Sequence, residues 1–535
     1  MSWFGRFRNG TWDLARVAPP WGSSGAIYAH VAAHIAPGTP GLTDGGSRLP
    51  DEKDDGEIKF APGALDGVFG HHWQSGTHDT RAKLLHRALS VVLEDASATK
   101  LRKLYEQLLQ DGALEFIDPL LELILERQDL DPVRLEALAL WLARNAPDRE
   151  PVKFGIALPG VVSGSDHSQL LLALGRHDEF TLYAAVALSN SAGERAERVL
   201  FELAQQVDGW GRIQIVERLA NTQDAEIKTW LLRDGYRNSV MYGYTAHTCA
   251  VAGDLRGAME PEAIDPALFS AAGDLIEALL LGGPAETMDE YPDGAIVVER
   301  FLHHVPDHAT SVRPLRVLGE IEDWLTNDSA DWTQRADRGW NAARRKALRG
   351  RVRELKGMPC WQEWVDRGLE SADKLTFEDA AEGAKVLGID VWDARFRRLE
   401  DTGEDHWYQL MQTRDAARID RVLALAEQRM PLDSIASGPR MELGFSLEWA
   451  DHTQLDYVLQ ELRRFPHKAW PLIRAGLRSP VVRNRNMALV ALSPWGMDAW
   501  PVDARGLLQA ALREEPDDGV RERFQTLLAN GRLDG

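Results

Sequence analysis

Glu299, His303, His304 and His308 form one group of side chains with metal-binding chemistry. Glu299 and His303 are spaced i, i+4, so they share one face of a helix, and carboxylate and imidazole are both zinc-ligand types. Pro306 is expected to end that helix before His308 is reached. We therefore predict a structural role for this group and no metal site.

Two further groups carry imidazole or thiol side chains. His71, His72 and His78 lie in a stretch rich in glycine and proline, and we predict that they are structural. His247 and Cys249 are separated by one residue, so on a helix they point in different directions and do not form a Cys–His nucleophilic pair. The sequence therefore predicts no catalytic residue.

Motifs of cofactor-dependent enzymes are absent from the sequence. It has no Gly-x-Gly-x-x-Gly after a strand, no P-loop, no Gly-x-Ser-x-Gly elbow and no Glu-x-x-His pair. Neither Cys249 nor Cys360 has the surroundings of a haem-thiolate ligand, and two cysteines make no disulfide framework. We predict no cofactor and favour a protein that is not an enzyme.

The net charge and the hydropathy of the sequence limit the classes of partner and the cellular location that we expect. The net charge is −21, and an acidic surface repels phosphate backbones, so we expect a protein or peptide partner and no nucleic acid. The sequence shows no signal-peptide pattern and no run of about 18 apolar residues that could span a membrane. We therefore expect a cytoplasmic protein without membrane segments.

Residues 327–356 are predicted to form one long polar helix that is rich in basic residues, in contrast to the rest of this acidic chain. Arg344, Arg345 and Arg349 within it are candidate residues for binding an anionic partner. The alternative is a solvated helix that bridges two helical arrays and neutralises their acidic rims.

A second candidate group for partner binding is the polar run Arg483, Asn484, Arg485 and Asn486, at the expected start of a helix. These side chains could line a concave binding surface. They could equally connect neighbouring repeats through hydrogen bonds, and the sequence leaves both alternatives open.

The elements that must position these residues are helices. From about Thr80 onward apolar residues recur at i, i+3, i+4 and i+7, as in the run from Leu114 to Leu125, and no stretch alternates with period two. Residues 1–79 are instead rich in Pro-Gly and Gly-Gly dipeptides that break helices. We predict an all-α protein with an irregular N-terminal cap.

The predicted helices recur at a spacing typical of HEAT repeats. Val133, Phe180 and Ile227 open similar helices 47 residues apart, and Asp131–Arg134 and Ser479–Arg483 carry the resemblance to HEAT repeats best. In such a unit an Asp or Ser caps the helix start, a Val packs toward the neighbouring unit, and an Arg reaches an acidic residue or a helix C-terminus there. The resemblance implies an α-solenoid.

These patterns divide the chain into four predicted parts. They are the irregular cap (1–79), an N-terminal helical-repeat array (80–326), a basic connecting helix (327–370) and a C-terminal helical-repeat array (371–535). Whether residues 20–57 are ordered is left open.

Three stretches resemble a family of bacterial helical-repeat proteins often labelled limonene hydroxylase: Phe60–Gly67, Tyr236–Tyr242 and Arg478–Ala488. That resemblance implies a monooxygenase acting on an apolar small molecule. The residues themselves favour a non-enzymatic scaffold whose concave face binds a protein or peptide. A third hypothesis is a regulatory or immunity-type partner of a basic protein.

Overall fold

The computed structural model describes residues 12–53, 60–66, 79–162 and 166–533. Within these ranges the chain is helical and contains no strand, apart from one isolated parallel bridge between Glu442 and Val481. The predicted all-α class is therefore confirmed. None of the helices in the described ranges combines the length and apolar composition needed to cross a bilayer.

The chain divides into two compact units, and the boundary lies between Trp364 and Val365. The four-part division predicted from the sequence stays a prediction. The helices of the first unit are α1 Ile27–Ala33, α2 Asp79–Glu94, α3 Ala98–Leu108, α4 Ala113–Arg127, α5 Pro132–Asn145, α6 Arg149–Ala157, α7 Pro159–Val162, α8 Ser168–Gly175, α9 Asp178–Ser191, α10 Ala196–Ala204, α11 Gly209–Arg218, α12 Ala225–Trp230, α13 Ala246–Ala252, α14 Leu255–Met259, α15 Pro266–Leu281, α16 Gly294–His308, α17 Arg313–Thr326, α18 Trp332–Asp337 and α19 Ala342–Lys356.

Nine of these helices form one row in which each packs against the next: α2, α4, α6, α9, α11, α13, α15, α17 and α19. Most of the helices between them in sequence pack against members of the row, as α3 does on α2, α5 on α6 and α10 on α9 and α11. A helix pair of this kind cannot bury its own apolar stripes, so burial requires the neighbouring pair.

α20 (Cys360–Leu369) spans the boundary. The second unit contains α21 Lys374–Val386, α22 Trp392–Thr402, α23 Trp407–Met411, α24 Ala416–Arg429, α25 Leu432–Ile435, α26 Ala450–Leu462, α27 Trp470–Gly476, α28 Val482–Leu492, α29 Ala504–Glu514 and α30 Asp518–Asn530. Here α23, α26, α28 and α30 form the corresponding row, each in contact with the next.

The predicted aspartate caps are present at α5 and α12, whereas α28, which follows Ser479, begins without a side-chain cap. The Asp131 carboxylate accepts from the amides of Val133 and Arg134, and the Asp224 carboxylate accepts in the same way from the first turn of α12. The expectation that the opening apolar residue packs inward holds for Ile227 but is wrong for Val133, which is 62 % exposed. Leu135, two residues further on, is fully buried in α5 instead.

Arginine side chains bind the C-terminal carbonyls of other helices at several places in both units, as the repeat pattern predicted. Arg134 Nη1 donates to Leu93 O at the end of α2 (2.7 Å), and Arg429 Nη1 donates to Leu399 O in the last turns of α22 (2.9 Å). The last carbonyls of a helix have no partner within that helix, so each such arginine satisfies acceptors and places a positive charge at the negative end of the helix dipole.

Two helix ends differ from the sequence prediction. The single helix expected over residues 327–356 is broken between α18 and α19, because Gly339 adopts a positive φ of 91° and the Asn341 side chain caps the amide of Arg344. Pro306 does not end its helix, since α16 continues to His308.

Arg300→Met is expected to lower the local stability of α14 by about 1–3 kcal/mol. Arg300 donates from Nε to Met259 O (3.0 Å) and from Nη2 to the next two carbonyls. Its loss leaves those two carbonyls without this donor, while Met259 O keeps only its bond to His304 Nε2. Amide hydrogen exchange of α14 measures the effect. Arg353→Met is the control, because the Arg353 side chain is exposed and bonds to no other described residue; equal exchange in both variants would contradict the prediction.

Candidate functional site

A groove with a volume of about 370 Å³ crosses α4, α6, α9 and α11, four successive helices of the first row. Its lining is mainly apolar, with several polar groups. The lining residues are Leu114, Ile117, Asp118, Leu121, Ala157, Leu182, Tyr183, Val186, Gln214, Glu217 and Arg218.

The apolar part of the groove comes from two helices. Leu114, Ile117 and Leu121 follow one another at i, i+3 and i+7 on α4, and Leu182 and Val186 are spaced i, i+4 on α9. Each set therefore lies on one face of its helix. All but Ile117 are only half-buried, so apolar surface remains open to a ligand.

Polar side chains lie at the edge of this groove. Asp118 on α4 is exposed, and α11 supplies Gln214, Glu217 and Arg218. Arg218 Nη1 donates to the backbone oxygen of Gln214 (2.6 Å), so that guanidinium lies back along its own helix, and burial lowers the pKa of Arg218. The exposed carboxylate of Asp118 lies at the same edge.

Below the groove lies a buried group of charges, which we call the Lys153 cluster: Lys153, Asp66, Glu150 and Glu179. Lys153 Nζ is 2.9 Å from Asp66 Oδ2, 2.7 Å from Glu179 Oε1 and 3.3 Å from Glu150 Oε1. Lys153 is only 3 % exposed. Tyr183 separates the cluster from the groove, and Lys153 Nζ lies 5.5 Å from its ring centroid.

The cluster holds its lysine in the charged form. Burial disfavours the ammonium, but the carboxylates of Glu179, Asp66 and Glu150 outweigh burial and raise the pKa of Lys153. A lysine that keeps its proton cannot serve as a nucleophile or a general base at neutral pH. The cluster is therefore suited to holding chain segments together and not to catalysis.

The same carboxylates also bind backbone amides. Glu150 Oε2 accepts from the amide of Ala113 (2.5 Å), the first residue of α4, and Glu179 Oε2 accepts from the amide of Gly63 (3.0 Å). Lys153 thus connects α6 to α9, and through Glu150 to the N-terminus of α4. Three of the four helices that line the groove are joined at this point.

The fourth groove helix, α11, is positioned by Asp178 at the start of α9. The amide of Gly211 donates to the Asp178 carboxylate, and a Cβ at Gly211 would lie 2.6 Å from Asp178 Oδ1. Glycine is therefore required at this close approach. Burial raises the pKa of Asp178 to about 8, an effect that nearby Asp208 reinforces and the Gly211 amide opposes.

The predicted basic residues of α19 are divided between bonded and unbonded side chains. Arg344 pairs with Glu299 (3.4 Å), and Arg345 donates to Leu325 O (2.8 Å) and pairs with Asp328 (3.1 Å). The Arg349 side chain makes no bond to another described residue. Of these three arginines only Arg349 thus has its charge available, and its role in partner binding stays a prediction.

The polar run at the start of α28 bonds mainly inside the second unit. Arg485 is fully buried and forms a two-point ion pair with Glu515 (2.7 and 2.6 Å). Asn484, also fully buried, donates to His452 O (2.8 Å). Both residues therefore connect α28 to neighbouring segments of the second unit.

The two flanking residues of this run are more exposed. Arg483 pairs with Asp456 on α26 (2.6 Å), and Asn486 Oδ1 accepts from Arg523 on α30 (2.9 Å). Both link neighbouring helices of the second row, and a role in partner binding stays a prediction for each.

The predicted structural histidines of α16 do not converge on one point. His304 Nε2 bonds Met259 O (3.1 Å), the His308 ring stacks on Phe269, and His303 faces Glu262. Among the residues that the structure describes, no three His, Cys, Asp or Glu side chains come together as a metal site would require.

The remaining candidates from the sequence are Cys249 and three histidines of the N-terminal segment. Cys249 is fully buried, which raises the pKa of its thiol. His71, His72 and His78 lie outside the described residues.

Comparisons with protein-family models, with curated proteins and with solved structures found no match to this chain. The resemblances to HEAT repeats and to the limonene hydroxylase-labelled family therefore stay predictions.

Lys153→Met is expected to lower the free energy of unfolding by about 3–5 kcal/mol, because the carboxylates of the Lys153 cluster would be buried without a counter-charge. Urea unfolding followed by tryptophan fluorescence measures the loss. The double variant Lys153→Met/Glu150→Gln is the comparison, since it removes one of the uncompensated charges and should recover part of the stability. A single variant as stable as the wild type would show that the cluster is dispensable.

Asp178→Asn is expected to flatten the dependence of stability on pH. The folded state retains a proton on Asp178 that the unfolded chain releases above about pH 4. This contribution to stability is therefore complete below pH 4 and is lost as pH rises through the folded-state pKa of about 8. Thermal unfolding from pH 5 to pH 8.5 should show a smaller decline for the variant, and parallel curves would contradict this assignment.

Proposed function

We propose that this chain is a non-enzymatic helical-repeat scaffold, whose first unit binds a peptide segment of a protein partner in the groove over α4, α6, α9 and α11. The observation that carries the proposal is the open, half-buried apolar surface on successive helices of one row. Helical-repeat proteins use such extended faces to bind other chains.

The rows of helices support the repeat part of this proposal. Each unit has a row in which every second or third helix of the sequence packs on the next, with partner helices beside it. This is the packing expected of HEAT-like α-solenoid units, and we propose that class for each unit separately.

The groove's chemistry suggests the kind of peptide. Leu182 and Val186 offer apolar contacts, and the exposed carboxylate of Asp118 lies beside them. A segment with apolar residues and neighbouring lysine or arginine would match both features. The net charge of −21 would also steer a basic partner toward the protein, as the regulatory or immunity-type hypothesis requires.

The oxidoreductase that the family resemblance implies would use the same groove. Its volume and apolar lining are within the range of small-molecule sites. An absorbance spectrum and elemental analysis of protein purified from its own cells separate the two proposals. A stoichiometric flavin, haem or metal together with NADH-dependent turnover would favour the oxidoreductase.

The double variant Leu182→Ala/Val186→Ala is expected to reduce partner recovery at least tenfold, because it removes apolar contact surface from the groove. Co-purification from the source cells with quantitative mass spectrometry is the measurement. The matched control is Val133→Ala/Leu281→Ala, which removes two side chains that are 62 % and 65 % exposed elsewhere in the same unit.

The scaffold proposal requires a difference between these two variants. A partner recovered equally with the groove variant and the control would place binding elsewhere. Circular dichroism and the thermal midpoint of each variant confirm that any loss is not a loss of folding.

A further inference from the structure

Gln214 and Arg218 are spaced i, i+4 on α11, so they share one face of that helix, and both line the groove. Arg218 Nη1 donates to Gln214 O (2.6 Å) and to Gln214 Oε1 (3.4 Å). The second contact orients the Gln214 side chain, because the oxygen faces the guanidinium and the amide nitrogen Nε2 is directed away from it. The two side chains therefore form one polar group on the α11 side of the groove.

The hydrogen-bond donors of this group are only partly satisfied. A guanidinium has five N–H groups, and those on Arg218 Nε and Nη2 bond to no residue in the described ranges. Gln214 is only 7 % exposed, yet its Nε2 amide donates to none of the described residues either. Buried polar groups in proteins normally have a hydrogen-bond partner. The groove thus presents donors that are suited to an acceptor on a ligand.

The positive charge of Arg218 also lacks an ion pair within the described ranges. Burial lowers the pKa of Arg218, and Glu217, whose carboxylate opposes this effect, forms no ion pair with it. Burial also lowers the pKa of Arg212, but Arg212 donates to three backbone carbonyls on different residues. The acceptors of Arg218 lie on Gln214 alone. A partly buried cation in this situation attracts an anionic ligand more strongly than an exposed cation does.

The opposite side of the groove has the opposite charge. Asp118 lies on α4, the first of the four groove helices in the row, and Arg218 lies on α11, the last. Leu182 and Val186, on α9, leave half-buried apolar surface between them. An anion is therefore favoured at α11 and disfavoured at α4, and an apolar group fits between the two.

We propose that the groove binds the C-terminus of a peptide, with the terminal carboxylate on Arg218 and Gln214 and the last apolar side chain on Leu182 and Val186. This inference rests on the peptide-binding function proposed above, and it names the end of the peptide that the groove selects. A carboxylate has two oxygens that accept charge-assisted hydrogen bonds from a guanidinium and a neighbouring amide. The lysine or arginine of the peptide then lies upstream, toward Asp118.

A terminal residue fits both features of the groove at once. Its α-carbon carries the carboxylate and the side chain together, and the axes of packed helices such as α9 and α11 are about 8–10 Å apart. The carboxylate of an internal Asp or Glu would occupy one residue and the apolar side chain another. A small apolar carboxylic acid would bind at α11 in the same way, but it would leave the Asp118 side of the groove unused.

Two matched pools of synthetic hexapeptides test the inference. Both pools carry a lysine at the second position and mixed apolar residues at the last two positions. One pool ends in a free carboxylate and the other in a carboxamide. The full-length chain is mixed with equal amounts of both pools, and the retained peptides are quantified by mass spectrometry. The wild type should retain the carboxylate pool at least about tenfold better, because a hydrogen bond to a charged group is stronger than one to a neutral group.

Variants separate the carboxylate contact from the apolar contact. Arg218→Met should remove the preference for the carboxylate pool, and Gln214→Leu should reduce it less, because Arg218 supplies the charge. Leu182→Ala/Val186→Ala should instead lower the retention of both pools. Arg353→Met is the control, since it removes an exposed arginine of α19 that bonds to no other described residue, and it should keep the wild-type preference. Thermal midpoints verify that each variant is folded.

Each contrary result has its own meaning. Equal retention of both pools by the wild type, lost in Leu182→Ala/Val186→Ala, overturns the inference and leaves the peptide-binding function in place. A preference that survives in Arg218→Met overturns it as well. Retention of neither pool also overturns it, whereas the function proposed above is decided by co-purification of the partner. Octanoate is the probe for a small carboxylic acid, and calorimetric binding of octanoate without retention of peptides would assign the site to a small molecule instead.

Discussion

The ends of the helices impose the constraint on which this structure depends. A helix that stops against a neighbouring helix leaves carbonyl oxygens without donors, and a buried acceptor without a partner is costly. Here arginines from later helices supply the donors, as Arg134 does for α2 and Arg300 does for α14. Because five N–H groups lie in one plane on a guanidinium, a single side chain can serve two or three carbonyls at once. Each unit is held together by these contacts as well as by apolar packing.

The Lys153 cluster fixes the orientation of neighbouring helices in addition to holding them together. Apolar side chains of the right volume would pack α4, α6 and α9 together, but they would tolerate small rotations of one helix on another. A buried ammonium with three carboxylates has few acceptable geometries, and two of those carboxylates also bind the amides of Ala113 and Gly63. Buried charges of this kind are weak as a source of stability. Their effect here is to fix the spacing of the half-buried side chains in the groove above them.

Local signals in the sequence predicted most of the fold. They did not predict the site, because the site depends on contacts between residues that are far apart in the sequence. The 3.6-residue period of apolar residues and the capping aspartates act within a few residues. The helical class, and helix starts such as that of α5, could therefore be predicted from the sequence. The break at Gly339 depends on one backbone angle, and the burial of Leu135 in place of Val133 depends on neighbouring helices. The Lys153 cluster joins residues up to 113 positions apart. Its one local signal was a lysine inside the apolar run from Pro151 to Ala157.

The arginine contacts affect which substitutions such a chain can accept during evolution. Their acceptors are backbone carbonyls, which every amino acid possesses, so a substitution at Leu93, Met259 or Leu399 leaves the acceptor in place. Only the donor position is tied to one residue type. Successive helices can therefore diverge in sequence at most positions while the contact between them is kept. A protein built in this way can keep its architecture long after the sequences of its helices have changed.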